Sequence, residues 1–198
     1  MKTAFLIIVF VLAGLSSKAQ SGTHTNLGIK VGPQAAKLGQ PKINWDTRYS
    51  WHAGLVAHVH MSRHFAIQPE LLYSAQGAEH VVTGSNRQIN LGYLNLPVAF
   101  QYMTGSGFRL QAGPQLGFLL DAKRELNGTE SDIKNSIKKM DLGALAGFSY
   151  VTKLGLGLDA RYIYGLVDIA KEGNTAALGS DLHNMVIQVG LFYQFKHK

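Results

Sequence analysis

Residues 107–122 read GFRLQAGPQLGFLLDA, and apolar side chains occupy every second position. The apolar set runs from Phe108 to Leu120, whereas the alternate set includes Arg109 and Asp121. A period of two is typical of a β-strand with two chemically different faces. In a soluble sheet the apolar face forms the core, but in a membrane barrel it faces lipid and the polar face lines the interior.

The same alternation recurs along the rest of the chain. We predict eight strands, which span approximately residues 24–35, 49–61, 64–77, 89–103, 107–122, 139–152, 154–166 and 184–196. At about 10–15 residues each, these strands are longer than the five or six residues common in soluble proteins. Such lengths suit tilted strands that cross a bilayer and extend beyond it.

The links between the predicted strands alternate strictly between short and long. Short links fall at 62–63, 104–106 and 152–153, and long polar links fall at 36–48, 78–88, 123–138 and 167–183. An up-and-down meander produces this alternation, and outer-membrane barrels have short periplasmic turns and long extracellular loops. The sequence therefore predicts an all-β fold, an eight-stranded antiparallel up-and-down transmembrane β-barrel.

The N-terminal segment has the pattern of a secretory signal peptide. Lys2 precedes an apolar run from Ala4 to Leu15, and Ser17-Lys18-Ala19 supplies small residues after it. We predict that residues 1–19 are cleaved and that residues 20–198 form the barrel domain. The apolar run is too short for a membrane-spanning helix, which needs about 20 residues. Export combined with insertion by strands predicts the bacterial outer membrane as the location.

Composition excludes several classes of protein. Charged residues make up only 16% of the chain, below the roughly 25% typical of soluble domains. The chain has no cysteine, so disulfides and cysteine-ligated metals are excluded. The net charge is +7, but the basic residues form no long run, which argues against nucleic-acid binding.

Aromatic residues give an independent check on the barrel. Running the strands alternately down and up places Trp51, Tyr73, Tyr93, Phe118, Tyr162 and Tyr164 near the loops, and Phe65, Tyr102, Phe108, Phe148, Tyr150, Tyr193 and Phe195 near the turns. Two bands of rings are typical of two membrane interfaces. We therefore expect Phe108, Leu110, Leu116, Phe118 and Leu120 to face lipid, and Arg109, Gln111 and Asp121 to face the interior.

Six charged residues fall on the predicted interior face: Lys30, Glu70, Arg109, Asp141, Asp159 and Arg161. An eight-stranded barrel has room inside for side chains but not for an open channel. Buried charges must then be paired or hydrogen-bonded. We predict that these residues form a structural network and not a catalytic one.

Several stretches resemble a known family. They are LGIKVG (27–32), IQPELLYSAQGA (67–78), YLNLPVAFQY (93–102), LQAGPQLGFLL (110–120) and LDARYIYGLVDI (158–169). Together they resemble the PorT-like outer-membrane β-barrel family over the whole mature chain. The resemblance implies an eight-stranded outer-membrane barrel. Most members have no assigned activity, and a few are tied to type IX secretion or gliding.

Two groups of residues could in principle form a metal site or a catalytic site. His52, His58 and His60 share the predicted interior face of the second strand, and His58 and His60 lie two apart. A zinc site needs three or four ligands, and we predict neither a metal site nor a cofactor. Ser50, His52 and Asp181 are placed near the outer rim, where some outer-membrane enzymes carry a catalytic triple. No motif fixes their geometry, so we predict no catalytic residue.

The sequence favours a small barrel that acts as a structural or interaction module of the envelope through its extracellular loops. The candidate contact residues in the loops are Trp45, Lys123, Arg124, Lys134, Lys138 and Lys139. The expected partners are outer-membrane lipids, lipopolysaccharide and an envelope protein. Two alternatives stay open, a barrel that binds or passes a small solute and an outer-membrane enzyme that modifies lipids or cleaves proteins.

Overall fold

The computed structural model describes residues 25–39, 46–82, 85–126, 129–169 and 183–195. Within these ranges the elements are β1 (Thr25–Gly39), β2 (Arg48–His60), β3 (Phe65–Val82), β4 (Ser85–Met103), β5 (Phe108–Leu126), β6 (Thr129–Asp132), a 3-10 helix (Lys134–Ser136), β7 (Met140–Val151), β8 (Leu156–Gly165) and β9 (His183–Gln194). Among the described residues, no helix is long and apolar enough to cross a membrane. The predicted signal segment, Trp45 and Asp181 lie outside the described residues.

The strands close into a barrel of eight antiparallel neighbours. The order around the barrel is β1, β2, β3, β4, β5, β7, β8 and β9, and β9 pairs again with β1. The short β6 pairs with the end of β5 and forms a hairpin with it beyond the barrel wall. The predicted eight-stranded up-and-down barrel is confirmed.

Three short turns and both described chain ends lie at one end of the barrel. Thr25 pairs with Val59 and Gly28 with Gln194, so β1 begins beside the turn that follows β2 and beside the end of β9. Gly107 and Gly155 close two of the turns with φ angles of 94° and 90°. A residue with a Cβ rarely adopts this conformation, so glycine is needed there. Short turns identify this end as the periplasmic one.

The strands at the opposite end are longer than the sequence pattern predicts. β3 continues to Val82 and β4 begins at Ser85, so most of the predicted loop 78–88 is strand. Ala78 and Ile89 are paired across this extension, and both are buried. The prediction of a long loop at 78–88 is therefore wrong, because buried apolar residues continue the interior face beyond the expected strand ends.

A β-bulge changes the face assignment near the end of β5. Tyr93 pairs with Leu119, whereas the preceding Gly92 pairs with Asp121, so Leu120 is an extra residue on β5. An extra residue reverses the alternation beyond it. Asp121 is consequently exposed and Ala122 is buried. The prediction that Asp121 faces the interior is wrong for this reason.

Tyr93 also lies on the opposite face from the predicted one. It is only 1% exposed, and it points inward together with Asn95 and Gln101, which share its parity on β4. We expected polar side chains inside and aromatic ones toward lipid, but the interior at this end of the barrel is itself apolar. The outer surface does carry the expected apolar cover, including the exposed Trp51 and Phe148.

Candidate functional site

Four of the six predicted interior charges meet inside the barrel, between its periplasmic and extracellular ends, and we call them the ion-pair cluster: Lys30, Glu70, Asp159 and Arg161. Arg161 donates from NH2 to Glu70 Oε2 over 2.7 Å and from Nε to Asp159 Oδ2 over 3.0 Å. Lys30 Nζ donates to Asp159 Oδ2 and lies 3.7 Å from Glu70 Oε2. Each of the four side chains is at most 3% exposed.

The fold brings these four side chains together from three strands. Lys30 lies on β1, Glu70 on β3, and Asp159 and Arg161 lie two apart on β8 and therefore on one face. β9 separates β1 from β8, and its Gly190 leaves room for the contact. A Cβ at Gly190 would lie 2.3 Å from Asp159 Oδ1 and 2.6 Å from Lys30 Cε. A side chain at this position would push the ion pair apart.

A hydrogen-bonded layer lies next to the ion-pair cluster on its extracellular side. Ser74 Oγ donates to Gln34 Oε1 over 2.9 Å, and Gln188 Nε2 donates to the same oxygen over 2.8 Å. Gln76 Nε2 donates to Ser74 Oγ over 3.1 Å. These buried amides and hydroxyls continue the polar filling of the barrel toward the loops.

The remaining two predicted charges lie apart from the cluster, at opposite ends of the interior. Arg109 pairs with Ser149 near the periplasmic turns, and its guanidinium lies 3.3 Å from His58 Nδ1 and 3.4 Å from Gln194 Oε1. Asp141 lies near the loops and accepts a 2.7 Å hydrogen bond from Asn184 Nδ2. Within the described part of the chain, neither Arg109 nor Asp141 forms an ion pair.

The extracellular mouth of the barrel is closed by an apolar group that sequence reasoning missed. This mouth cluster comprises Leu38, Ala78, Ile89, Leu91, Tyr93, Leu119, Ala122, Ile133, Ile137 and Ile169. Ile133 and Ile137 flank the 3-10 helix of the third loop, and Ile169 comes from the fourth. The backbone N–H of Ile133 donates to Ala122 O over 3.0 Å, and that of Lys138 donates to Ile169 O over 2.8 Å. Two isoleucines four residues apart in a polar segment are the signal that identifies this cap in the sequence.

The basic candidates of the third loop are interleaved with acidic residues. Lys123 Nζ lies 3.0 Å from Glu130 Oε2 across the β5–β6 hairpin, and this carboxylate raises the pKa of Lys123 above its ordinary value. Lys134 donates from Nζ to the Leu120 carbonyl and from its backbone N–H to Asp132 Oδ1. The remaining candidates are Arg124 and Lys138, which are half-buried, and Lys139, which is exposed. The third loop is therefore a surface of mixed charge.

His52, His58 and His60 of β2 are interior side chains. The rings of His58 and His60 meet edge to face with centroids 4.5 Å apart. Among the described residues, no three histidine or carboxylate groups lie close enough to hold a metal ion. His52 is fully buried, and its Nε2 lies 3.3 Å from the position of a Cβ at Gly190. The predicted interior face of His52 is therefore confirmed, but its side chain lies beside the ion-pair cluster and not at the predicted outer rim.

Comparison with solved structures identifies the fold among known barrels. Neisserial surface protein A has a TM-score of 0.58 at 14% identity, with 87% of this chain and 99% of that chain covered. Ail of Yersinia pestis has a TM-score of 0.54 at 13% identity, with the same coverage. OprG from Pseudomonas aeruginosa has a TM-score of 0.50 at 13% identity, with 88% of this chain and 98% of that chain covered. At these identities the likeness shows a shared fold.

The sequence itself places the chain in a family. No curated protein sequence matches it. Residues 18–171, which include all but the last of the barrel strands, match the family described as outer membrane protein beta-barrel domain. The chain therefore belongs to the outer-membrane β-barrel family and is a protein of the bacterial outer membrane.

Proposed function

We propose that the protein is a structural or interaction module of the bacterial envelope, which is anchored by its barrel, binds partners through its extracellular side and has no catalytic activity. The observation that carries this proposal is the filled interior. The ion-pair cluster occupies the middle of the barrel and the mouth cluster covers its extracellular end. With the outside committed to lipid and the inside to packing, the extracellular loops and hairpins are the surface left for a partner.

The interior cavity described in the barrel is too small for a solute larger than water. A cavity lined by Gln76, Gln115 and Asp141 between the polar layer and the mouth has a volume of about 10 Å³. This volume suits about one water molecule. This small volume argues against the alternative of a narrow pore, and the reciprocal pairing within the ion-pair cluster supports a packing role for its four charges.

The extracellular surface is built from extended hairpins. β3 and β4 continue to Val82 and Ser85, and β5 and β6 form a second hairpin. Asp46 forms a two-way backbone bridge with Glu79, so the end of the first loop lies against β3. We propose that these hairpins carry the contacts.

The contact residues that we propose are those predicted from the sequence, Trp45, Lys123, Arg124, Lys134, Lys138 and Lys139. A solved structure of Ail holds the heparin analogue sucrose octasulfate. An anionic saccharide, including that of lipopolysaccharide, is therefore the first partner to test.

Two finer assignments belong to the same proposal. We infer that residues 1–19 are a cleaved signal peptide and that residues 20–198 form the barrel domain. We also infer membership of the PorT-like branch, on the resemblance of stretches such as residues 67–78 and 110–120. Mass spectrometry of the protein from outer membranes tests the first assignment, since cleavage gives an N-terminus at Gln20.

A pull-down from native outer membranes tests the interaction proposal. One variant replaces residues 124–131 by a two-residue turn and so removes most of the β5–β6 hairpin. The matched control substitutes Lys153→Gln in a periplasmic turn. We expect the hairpin variant to lose a partner that the control retains, while both still migrate anomalously on unboiled gels. Retention of every partner by the hairpin variant would contradict a role for this hairpin.

The two alternatives have direct tests of their own. Steady conductance in planar bilayers would favour a pore, and we expect none from a barrel with this interior. Incubation with lipopolysaccharide or phospholipid, followed by mass spectrometry, tests the enzyme, and we expect no product.

A further inference from the structure

The outer surface of the barrel has an apolar groove near its periplasmic end. The groove has a volume of about 510 Å³ and runs across β3, β4 and β5, and Met61, Phe65, Ile67, Phe100, Leu110 and Ala112 line it. Ala112 pairs with Phe100, and the neighbouring Leu110 pairs with Tyr102. The single methyl of Ala112 between larger side chains gives the surface its depth. Because this face lies in the membrane, hydrocarbon fills the groove.

A basic turn lies at the periplasmic end of this groove. Met61 and Phe65 line the groove, and the segment between them, Ser62-Arg63-His64, is exposed. The His64 ring stacks on Tyr102, which also lines the groove, with a centroid distance of 6.3 Å and an interplanar angle of 19°. The turn that carries Arg63 and His64 therefore borders the apolar groove at its periplasmic end.

The charge of the periplasmic end is of one sign. In the described segments at this end, the exposed basic side chains are Arg63, His64 and Lys153, and no carboxylate is exposed. The exposed acidic residues lie at the other end, as in the β5–β6 hairpin with Glu130 and Asp132. A one-signed basic rim attracts anionic headgroups, at about 1 kcal/mol per basic residue.

We propose that the groove and the Arg63–His64 turn together form a binding site for one anionic glycerophospholipid of the periplasmic leaflet. An acyl chain lies against Phe100 and Ala112, and the headgroup phosphate accepts hydrogen bonds from Arg63. A second copy of this chain is the poorer occupant. Two barrels packed on this face would share one orientation in the membrane, and symmetry would bring their Arg63 side chains together.

Lipid retention measures this site directly. The intact barrel is reconstituted in nanodiscs of equal parts phosphatidylglycerol and phosphatidylethanolamine, released into mild detergent and analysed by native mass spectrometry. We expect one phosphatidylglycerol per barrel to be retained in preference to phosphatidylethanolamine. Arg63→Gln should lower that retention about fivefold, and Ala112→Leu, which fills the groove, should lower it as well.

The control variant Lys153→Gln removes the same charge from a turn that does not border the groove. We expect it to retain phosphatidylglycerol like the unmodified protein, and all variants to keep their heat-modifiable migration. An equal loss with Lys153→Gln would overturn the site in favour of general rim electrostatics. Undiminished retention of phosphatidylglycerol by Ala112→Leu would contradict the role of the groove in binding. Equal retention of phosphatidylglycerol and phosphatidylethanolamine would contradict the proposed site. A dimer without bound lipid would show that a second copy occupies this face.

Discussion

Between the two ends of the barrel the interior holds four charged side chains, whereas at the extracellular end it is filled by apolar ones. In the ion-pair cluster each charge has a partner of opposite sign, and the group has no formal net charge. In the mouth cluster, the loop residues Ile133, Ile137 and Ile169 lie over the strand residues beneath them. The middle joins three strands of the wall, and the mouth joins the loops to the wall.

This difference predicts how far the effect of a substitution extends through the protein. Removing one charge from the ion-pair cluster leaves another buried without compensation, which destabilises the whole barrel. Removing an apolar side chain from the mouth leaves a gap next to a loop that can open on its own. Damage in the middle should therefore be global, and damage at the mouth should be local.

The largest effect is expected from Arg161→Leu. Glu70 loses its 2.7 Å partner and Asp159 its 3.0 Å partner, and breaking a buried pair lowers the free energy of unfolding by about 3–5 kcal/mol. Urea unfolding from lipid vesicles measures this. The double variant Glu70→Leu with Arg161→Leu leaves Lys30 and Asp159 balanced, and we expect it to be more stable than Arg161→Leu alone. If the double variant is the less stable, the cluster is not held together by charge balance.

A substitution on the outer face should have the next largest effect. Leu116 faces lipid near the middle of β5, and Leu116→Arg should cost about 2–4 kcal/mol because it places a charge in hydrocarbon. Gln115→Arg points into the interior, where Asp141 lines the same small cavity, and we expect it to cost less. Equilibrium unfolding of both variants from vesicles gives the comparison. A greater loss with Gln115→Arg would contradict the assigned faces or show that the cavity cannot accept the longer side chain.

The mouth should respond locally. Ile137→Ala removes a side chain that is 2% exposed, and such truncations cost about 2–5 kcal/mol where the site cannot collapse. We expect the low end of this range, expressed as faster hydrogen exchange at Ile133 and Lys138 and not as global unfolding. The exposed Ser131→Ala in the adjacent β6 is the control. Equal loss of exchange protection throughout the barrel wall would show that the mouth and the middle unfold together.

The smallest effect is expected from Lys123→Met in the β5–β6 hairpin. Its ion pair with Glu130 is exposed, and such pairs are screened by water and salt. Because Glu130 raises the pKa of Lys123, whatever stability the pair contributes is lost only as the pH rises above the ordinary lysine range. We expect unfolding curves at neutral pH to coincide with those of the unmodified protein. A clear shift there would give the hairpin a structural role.

The architecture could be predicted from the sequence, because the period of two is a local property that each strand displays on its own. Short links at 62–63, 104–106 and 152–153 were enough to orient the meander, and the parity of Lys30, Glu70, Asp159 and Arg161 was enough to place all four inside. These inferences needed no knowledge of which strands meet across the barrel.

Contacts between strands distant in sequence determine which interior residues meet and where the alternation breaks. Parity places Arg109 and Asp141 on the same inner face as the ion-pair cluster, but height along the barrel axis follows from strand register, which parity does not fix. The bulge at Leu120 depends on the pairing of β4 with β5, and it turns Asp121 outward. Tyr93 points inward although polar side chains are expected inside such a barrel. Loop residues distant in sequence cover its ring and keep water away from it, so an apolar side chain is stable there.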